Sequence, residues 1–181
     1  MTRAFIAVRP PDAVLDAIAG CVAGVRDAVP DARWTTRDQW HVTLQFLGNR
    51  ADVDAVVAAL GGLGVGSADV AVGGGGAFGS ARRATVCWVG VQQGGSFLSE
   101  LAARVQERTQ PLGHEPEKRP FHPHITVARA PGRRPLDARA FVAAVPPAAG
   151  ESWTVDEIVV YESKLRRAGA EYVPRAVIAL G

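Results

Sequence analysis

The stretch WHVTLQFLG, residues 40 to 48, alternates between polar and apolar side chains. The polar positions are His41, Thr43 and Gln45, and aliphatic side chains followed by Phe46 occupy the positions between them. A period of two is that of a β-strand, in which successive side chains point to opposite faces. The stretch therefore predicts a strand whose polar face carries an imidazole beside a hydroxyl group and whose other face, including Phe46, packs in the core.

A second copy of this pattern, HITV, occupies residues 124 to 127 within the longer stretch FHPHITV. Its His124 and Thr126 follow His41 and Thr43 by 124 − 41 = 83 residues, about half of the chain. One such strand is common, but two in the same apolar frame, in a chain with 4 histidines, indicate a shared role. If a pseudo-twofold axis relates the two halves, the two imidazoles face each other across a common cleft.

The order strand, helix, polar-faced strand, helix occurs once in each half, without a residue-by-residue repeat. It predicts an α+β fold: bilobal, two pseudo-symmetric antiparallel sheet and helix halves, each with its own sheet, around a central cleft. The Gly-rich stretch GGGGAFGSARR is expected to be a flexible loop. Further strands are predicted at RAFIAV, ADVAVGG and ATVCWVGV, and a closing pair of strands at WTVDEIVVYES and AEYVPRAVIAL. Four helices are predicted: one that begins at Asp12, one over residues 52 to 60, one capped by Ser96 that extends to about Gln110, and one in PLDARAFVAAV.

The composition sets the class of protein. A chain of 181 residues with 48% hydrophobic side chains suits one domain, here residues 1–181 with two similar lobes. A net charge of +2 does not by itself indicate a nucleic-acid binder. Cys21 and Cys87 lie in apolar surroundings and are interpreted as core thiols. With no signal peptide or membrane span in evidence, we expect a cytoplasmic monomer that needs no membrane and no obligatory protein partner.

Two facing imidazoles with neighbouring hydroxyl groups suit the hydrolysis of a phosphodiester. In-line displacement needs a base for the attacking water and an acid for the leaving oxygen, and histidine can fill both roles near neutral pH. Threonine hydroxyls can donate to the nonbridging phosphate oxygens. Each proton-transfer residue is expected to contribute roughly 10²- to 10⁴-fold.

Two other interpretations stay open at this point. In the first, His122 and His124 share a metal ion, with His114, Glu115 or Glu117 as further ligands, although a proline separates the pair and the first motif is left without a role. In the second, the chain is an RNA-binding module without catalysis, although binding alone would not need an acid and a base. An ATP-dependent ligase is disfavoured because neither lysine lies in a K-x-x-G setting.

The paired motifs, with RAFIAV, LQFLG, RATVCWVGV, FHPHITVAR and YES…EYVPRAVIAL around them, resemble the two-histidine phosphoesterase superfamily. Within it the chain is similar to the RNA 2',3'-cyclic phosphodiesterases, the 2'-5' RNA ligase family. The resemblance covers essentially the whole chain. It implies a bilobal fold, no cofactor and no required metal, RNA ends or cyclic nucleotides as substrates, hydrolysis of a terminal 2',3'-cyclic phosphate to a 2'-phosphate, and the reverse 2'-5' ligation as a possible second reaction.

The resemblance also implies roles for individual residues. His41 matches the proton donor to the leaving O3', and His124 matches the proton acceptor that activates water. Thr43 and Thr126 match substrate-binding hydroxyls, and Arg129 matches an arginine that grips the phosphate. Because Arg129 is five residues after His124, it reaches the cleft only if the strand ends or bends near residue 128.

Further candidates border the expected groove. Arg82, Arg83, Arg166 and Arg167 could contact phosphates, although solvated surface is the commoner place for such side chains. Phe46 and Phe78 could stack on a base, although the core-facing parity of Phe46 favours packing for that residue.

Overall fold

The computed structural model describes residues 2–166 and 169–181. Within these residues it contains four α-helices and nine β-strands, with short 3-10 turns at residues 26–28, 37–39 and 110–112. In chain order the elements are β1 Thr2–Val8, α1 Asp12–Ala23, β2 Arg33–Trp34, β3 Val42–Ala51, α2 Val53–Leu60, β4 Ala68–Ser80, β5 Arg83–Gln93, α3 Gly95–Thr109, β6 His124–Arg129, α4 Arg139–Ala144, β7 Trp153–Val155, β8 Glu157–Arg166 and β9 Gly169–Ala179.

The strands follow one path in the order β7-β4-β5-β6-β3-β1-β8-β9, with β2 on β6, and every recorded pairing is antiparallel. The path is symmetric about the junction of β6 and β3. Lobe 1 consists of β3, β1, β8 and β9, and lobe 2 consists of β6, β5, β4 and β7. The bilobal α+β prediction is confirmed, but the two sheets expected to be separate are joined by the pair Val42–Ile125.

The helices cover one face of this curled sheet and bury one continuous core. α1 contributes Val14, Leu15, Ile18 and Val22, and α3 contributes Leu98, Leu101, Ala102 and Val105. This spacing is that of an amphipathic helix, so the apolar stripes decide which side of each helix meets the sheet. The opposite face of the sheet is left for a cleft between the lobes.

The prediction of a flexible loop at the Gly-rich stretch is wrong, because residues 68–80 form a single strand, β4. Its glycines admit close neighbours on the sheet. A Cβ atom on Gly73 would lie 1.9 Å from the Pro147 carbonyl oxygen, and one on Gly76 would lie 2.0 Å from the Trp88 indole. Gly94, at φ 81°, precedes α3, so Ser96 does not cap that helix as expected.

A β-bulge interrupts β3. The pairing with β1 shifts between Ile6–Gln45 and Ala7–Thr43, which leaves Leu44 as the extra residue. Leu44 and Gln45 are both buried, and Phe46 is 59% exposed on the other face. The alternation read from the sequence therefore reverses after Thr43, because an extra residue in one strand shifts every later side chain to the opposite face.

An equivalent bulge interrupts β6. Its pairing with β5 shifts between Trp88–Thr126 and Cys87–Ala128, so Val127 is the extra residue. Val127 and Ala128 are both fully buried, and the next residue, Arg129, is exposed. The bend near residue 128 that Arg129 needed to share a face with His124 is therefore present.

Thr35 holds the carbonyl groups of this second bulge. Its backbone N–H donates to the Val127 carbonyl oxygen at 2.9 Å, and its hydroxyl lies 2.9 Å from the same oxygen and 3.1 Å from that of Thr126. The hydroxyl also accepts a 2.9 Å hydrogen bond from the buried indole N–H of Trp40. Thr35 thus ties the segment before His41 to the strand that begins with His124.

None of the helices in the described ranges is both long and apolar enough to cross a membrane. Cys87 is buried, and burial raises the pKa of its thiol to about 11. Cys21 is half-buried and packs against the core. Both thiols are free, as the sequence predicted.

We expect Thr35→Val to lower the free energy of unfolding by about 1–3 kcal/mol, because it leaves the buried Trp40 indole N–H without its partner and removes the hydroxyl's contacts to the two bulge carbonyls. Urea denaturation measures the change. Thr35→Ser retains the hydroxyl and should recover most of the loss. The matched control is Thr154→Val, whose hydroxyl meets the exposed carboxylate of Asp69. Equal stability of Thr35→Val and Thr154→Val would contradict the role assigned to Thr35.

Candidate active site

The two motifs meet at the junction of the lobes. Val42 pairs with Ile125, and extension of this register by one residue in each direction sets His41 opposite Thr126 and Thr43 opposite His124. All four side chains are half-buried, whereas Val42 and Ile125 between them are fully buried in the core. Side chains that alternate with buried ones share the opposite face of a sheet. The structure therefore brings both imidazoles and both hydroxyls to one side, at the bottom of the cleft.

The two imidazoles are held in the same way. The Nδ1 of His41 lies 2.7 Å from the carbonyl oxygen of Gln39, and the Nδ1 of His124 lies 2.6 Å from that of His122. A carbonyl oxygen can only accept, so Nδ1 carries the proton in both rings. This fixes the tautomer and leaves Nε2 of each ring available either to accept a proton or, once protonated, to donate one.

Both histidines favour the neutral form in the absence of substrate. The pKa of His41 is lowered to about 4, first by burial and then by the charges of His124 and Arg129, against the opposing effect of its hydrogen bond to Gln39. Burial also lowers the pKa of His124, with added contributions from the charges of His122 and Arg129. An approaching anion reverses the electrostatic part of these shifts because it stabilises each imidazolium.

Arg129 completes a positive site. The bulge at Val127 turns its side chain to the face that carries the histidines, and its charge acts on the pKa of both His41 and His124. It is exposed, so a ligand can reach it. A planar guanidinium beside two imidazoles is suited to a phosphate group.

Phe46 is the residue whose placement the sequence analysis predicted wrongly, since it faces the cleft instead of the core. It occupies the position in β3 that Arg129 occupies in β6, five residues after the histidine in each case. Strict alternation would have put Leu47 on the polar face, and this apolar residue after Phe46 was the signal of the bulge. Phe46 lies against Phe5 with ring centroids 6.1 Å apart.

Phe5 belongs to a small aromatic cluster beside His41, which we call the lobe 1 cluster. Its members are Phe5, Tyr161 and Tyr172. Phe5 stacks on the His41 ring at 4.7 Å, and Tyr172 meets that ring edge-on at 5.3 Å. The cluster covers the His41 ring and so explains the burial that lowers the pKa of His41. The sequence analysis missed the cluster because its three rings come from three different strands.

Lobe 2 has an aromatic group of its own beside His124. The ring of Phe78 meets His124 edge-on at 4.8 Å, and the ring of His122 lies 4.7 Å from the Trp88 indole. His122, which the sequence offered as a possible metal ligand, contributes its carbonyl oxygen to the hydrogen bond with His124 and its ring to this aromatic group. Trp40 lies in the core, and Trp34 packs against it.

The described residues do not support the alternative metal site. Within residues 2–166 and 169–181, no three His, Cys, Asp or Glu side chains lie close enough together to hold a metal ion. His122 faces Phe78 and Trp88, and the rings of His122 and His124 are 6.0 Å apart.

The other candidate arginines lie outside the two histidine motifs. Arg82 and Arg83 are exposed at the turn between β4 and β5, and Arg166 pairs with Glu171 at 2.8 Å. Arg167 lies outside the described residues.

Two curated relatives are similar to this chain in sequence. An RNA 2',3'-cyclic phosphodiesterase from Geobacillus stearothermophilus is 31% identical over 168 residues, which cover 90% of this chain and 52% of the relative. This chain therefore spans about half the length of that protein. An RNA 2',3'-cyclic phosphodiesterase from Aeropyrum pernix is 34% identical over 128 residues, which cover 66% of this chain and 71% of the relative.

Solved structures share the fold. Escherichia coli LigT complexed with 3'-AMP superimposes with a TM-score of 0.80 at 27% identity, over 99% of this chain and 98% of the LigT chain. The family model described as the 2'-5' RNA ligase superfamily matches residues 10–167. Since that match covers both histidine motifs and most of the sheet, the chain belongs to the 2'-5' RNA ligase superfamily.

Proposed function

We propose that this protein hydrolyses the 2',3'-cyclic phosphate at an RNA end to a 2'-phosphate, by general acid-base catalysis with two histidines and without a metal ion. The observation that carries the proposal is the pair of imidazoles on one sheet face, each with its tautomer fixed by the carbonyl two residues upstream. Such a pair can remove one proton and supply another without rearrangement. The names of the curated relatives support the same reaction.

In the proposed reaction, Nε2 of His124 takes a proton from water as the water oxygen attacks phosphorus. The bond from phosphorus to O3' breaks, and His41, protonated on Nε2, gives its proton to O3'. The O2' bond is retained, so the product is a 2'-phosphate. Thr43, Thr126 and Arg129 donate to the nonbridging oxygens, whose negative charge must be stabilised during the displacement.

The leaving O3' belongs to the substrate's own ribose, so the nucleoside lies on the His41 side of the phosphate. Phe46 is exposed on that side, beside Phe5 of the lobe 1 cluster. Bases stack on exposed aromatic rings with little regard to their identity. Phe46 is therefore the proposed platform for the base, and this is consistent with the binding of 3'-AMP by LigT.

The same machinery would open the ring in the same direction when a 5'-hydroxyl takes the place of water as the nucleophile. His124 would then remove the proton of O5', and a 2'-5' phosphodiester would form as the bond to O3' breaks. Ligation of this kind needs no ATP because the cyclic phosphate supplies the activated bond.

Replacement of either histidine should abolish most of the activity. We expect His41→Ala and His124→Ala each to lower kcat/KM for a nucleoside 2',3'-cyclic phosphate by roughly 10²- to 10⁴-fold, measured in EDTA. His114→Ala, which removes a histidine outside the site, is the matched control and should retain full activity. Full activity of either site variant would refute the two-histidine mechanism, and activity that disappears in EDTA and returns with zinc would favour the metal-dependent alternative.

The pH dependence should differ between the free and the substrate-bound protein. The base must be neutral and the acid protonated, and in the free protein the pKa of His41 is about 4. The bound phosphate anion stabilises the His41 imidazolium and raises that pKa, so kcat should persist to higher pH than kcat/KM. Steady-state profiles from pH 4 to 9 test this expectation, and coincident alkaline limbs would contradict it.

Phe46→Ala should raise KM by roughly 5- to 100-fold with little change in kcat, because stacking is worth about 1–3 kcal/mol per base and is equal in the ground and transition states. Phe46→Tyr preserves the ring and should retain the KM of the parent. The control is Val177→Ala, which also shortens an exposed apolar side chain but lies on β9. An unchanged KM in Phe46→Ala would place the base elsewhere.

A further inference from the structure

The cleft face of the sheet carries one more pair of polar side chains beyond the two histidine motifs. The short strand β2 pairs with the end of β6, which sets Arg33 directly opposite Arg129 and Trp34 opposite Ala128. Trp34 packs against the core and Ala128 is fully buried, so the neighbouring pair of arginines lies on the opposite face, with the histidines. Arg33 is exposed, as Arg129 is. Arg33 is therefore a cation at the end of the cleft to which the proposed reaction gives no role.

The strand pairing also decides on which side of the cleft Arg33 lies. β5 pairs with one edge of β6 from its first residue to its last, so β2 and β3 share the other edge. His41 directly precedes β3. Arg33 is thus in line with His41, farther along the same edge towards the end of β6. This is the side on which the proposed reaction places the leaving nucleoside.

The two arginines lack negative charge around them. Residues directly opposite each other in antiparallel strands have Cβ atoms about 4.5–5.5 Å apart, and like charges at such positions are destabilising. Within residues 2–166 and 169–181, neither Arg33 nor Arg129 lies within ion-pair distance of a carboxylate. Arg37, in the same segment as Arg33, pairs with Asp12 and Asp16 instead. Anionic groups of a ligand would relieve the repulsion between Arg33 and Arg129.

A single reacting phosphate accounts for only one of these cations. A cyclic phosphodiester has one negative charge, and Arg129 is placed to meet it, since its charge lowers the pKa of both imidazoles. An RNA chain adds a second negative charge, on the phosphate that joins O5' of the terminal nucleotide to the rest of the chain. That phosphate belongs to the nucleoside on the His41 side, where Arg33 lies. The planar guanidinium of Arg33 is suited to bind it through paired hydrogen bonds.

We propose that Arg33 binds the phosphate on O5' of the terminal nucleotide and thereby gives the protein a preference for RNA chains over nucleoside cyclic phosphates. The inference rests on the proposed function and on the side assigned there to the leaving nucleoside. Arg33 takes no part in the proton transfers. Its contact is the same in the ground state and the transition state, so it lowers KM for a chain and leaves kcat as it is.

The test compares three substrates at low ionic strength. They are adenosine 2',3'-cyclic phosphate, adenylyl-(3'-5')-adenosine ending in a 2',3'-cyclic phosphate, and the same dinucleotide with an uncharged methylphosphonate as its linkage. We expect the KM of the charged dinucleotide to be roughly 5- to 50-fold below that of the mononucleotide, the size expected of one charge-assisted hydrogen bond at an exposed site. The methylphosphonate should lose this advantage. If the methylphosphonate retained it, the advantage would come from the second nucleoside and the proposal would be overturned.

Variants of Arg33 assign the effect to one side chain. Arg33→Gln should remove the difference between the two charged substrates by raising the KM of the dinucleotide, whereas Arg33→Lys retains the charge and should recover part of the advantage. Because Arg33 is exposed and faces a like charge, both variants should keep the Tm of the parent. The matched control is Arg104→Gln, which removes an exposed arginine from α3, on the helix side of the sheet.

Two outcomes separate this inference from the function on which it rests. An equal loss of kcat/KM on the mononucleotide and the dinucleotide in Arg33→Gln would place Arg33 on the reacting phosphate and overturn the proposal. So would a wild-type protein that hydrolyses both substrates with the same KM. Absence of mononucleotide and dinucleotide hydrolysis in the wild type would instead refute the proposed function itself.

Discussion

The active face of this protein depends on the hydrogen bonds that Thr35 makes to the carbonyl groups of Thr126 and Val127. They stabilise an extra residue in β6, and that residue turns Arg129 from the core to the cleft. The indole N–H of Trp40, the residue before His41, donates to the same hydroxyl. One side chain therefore sets the position of a cation in lobe 2 and the approach to the histidine of lobe 1.

The lobes share a scaffold but differ in their chemistry. Each offers an imidazole tied to a carbonyl two residues upstream, a threonine two residues downstream, and a bulge before the fifth position. At that fifth position lobe 1 has Phe46 and lobe 2 has Arg129. The matched imidazoles suit the transfer of one proton at each side of the site. The fifth positions make its two sides different, because lobe 2 has a cation suited to phosphate and lobe 1 has an exposed aromatic ring.

The sequence predicted the bilobal fold and the meeting of the two motifs because these depend on local hydrophobic periodicity, which one strand at a time reveals. It misplaced Phe46, and it could make the position of Arg129 only conditional, because both follow bulges that are defined by pairing with a neighbouring strand. The Gly-rich stretch was mistaken for a loop for a related reason. Its glycines accommodate Trp88 and the Pro147 carbonyl, which are close in space but distant in the chain. Contacts of this kind leave no local signature.

The arrangement of the lobes along the chain affects how the protein folds. Lobe 2 is built from residues 68–155, whereas lobe 1 pairs β1 with β8, as in Ala4–Glu162, across nearly the whole sequence. Closing so long a loop is slow relative to forming nearby pairs. We therefore expect lobe 2 to become ordered first and to template the strand order. The burial of His41 against Phe5 and Tyr172, on which its acid-base character rests, then arises only in the last step, when the two ends of the chain are joined in one sheet.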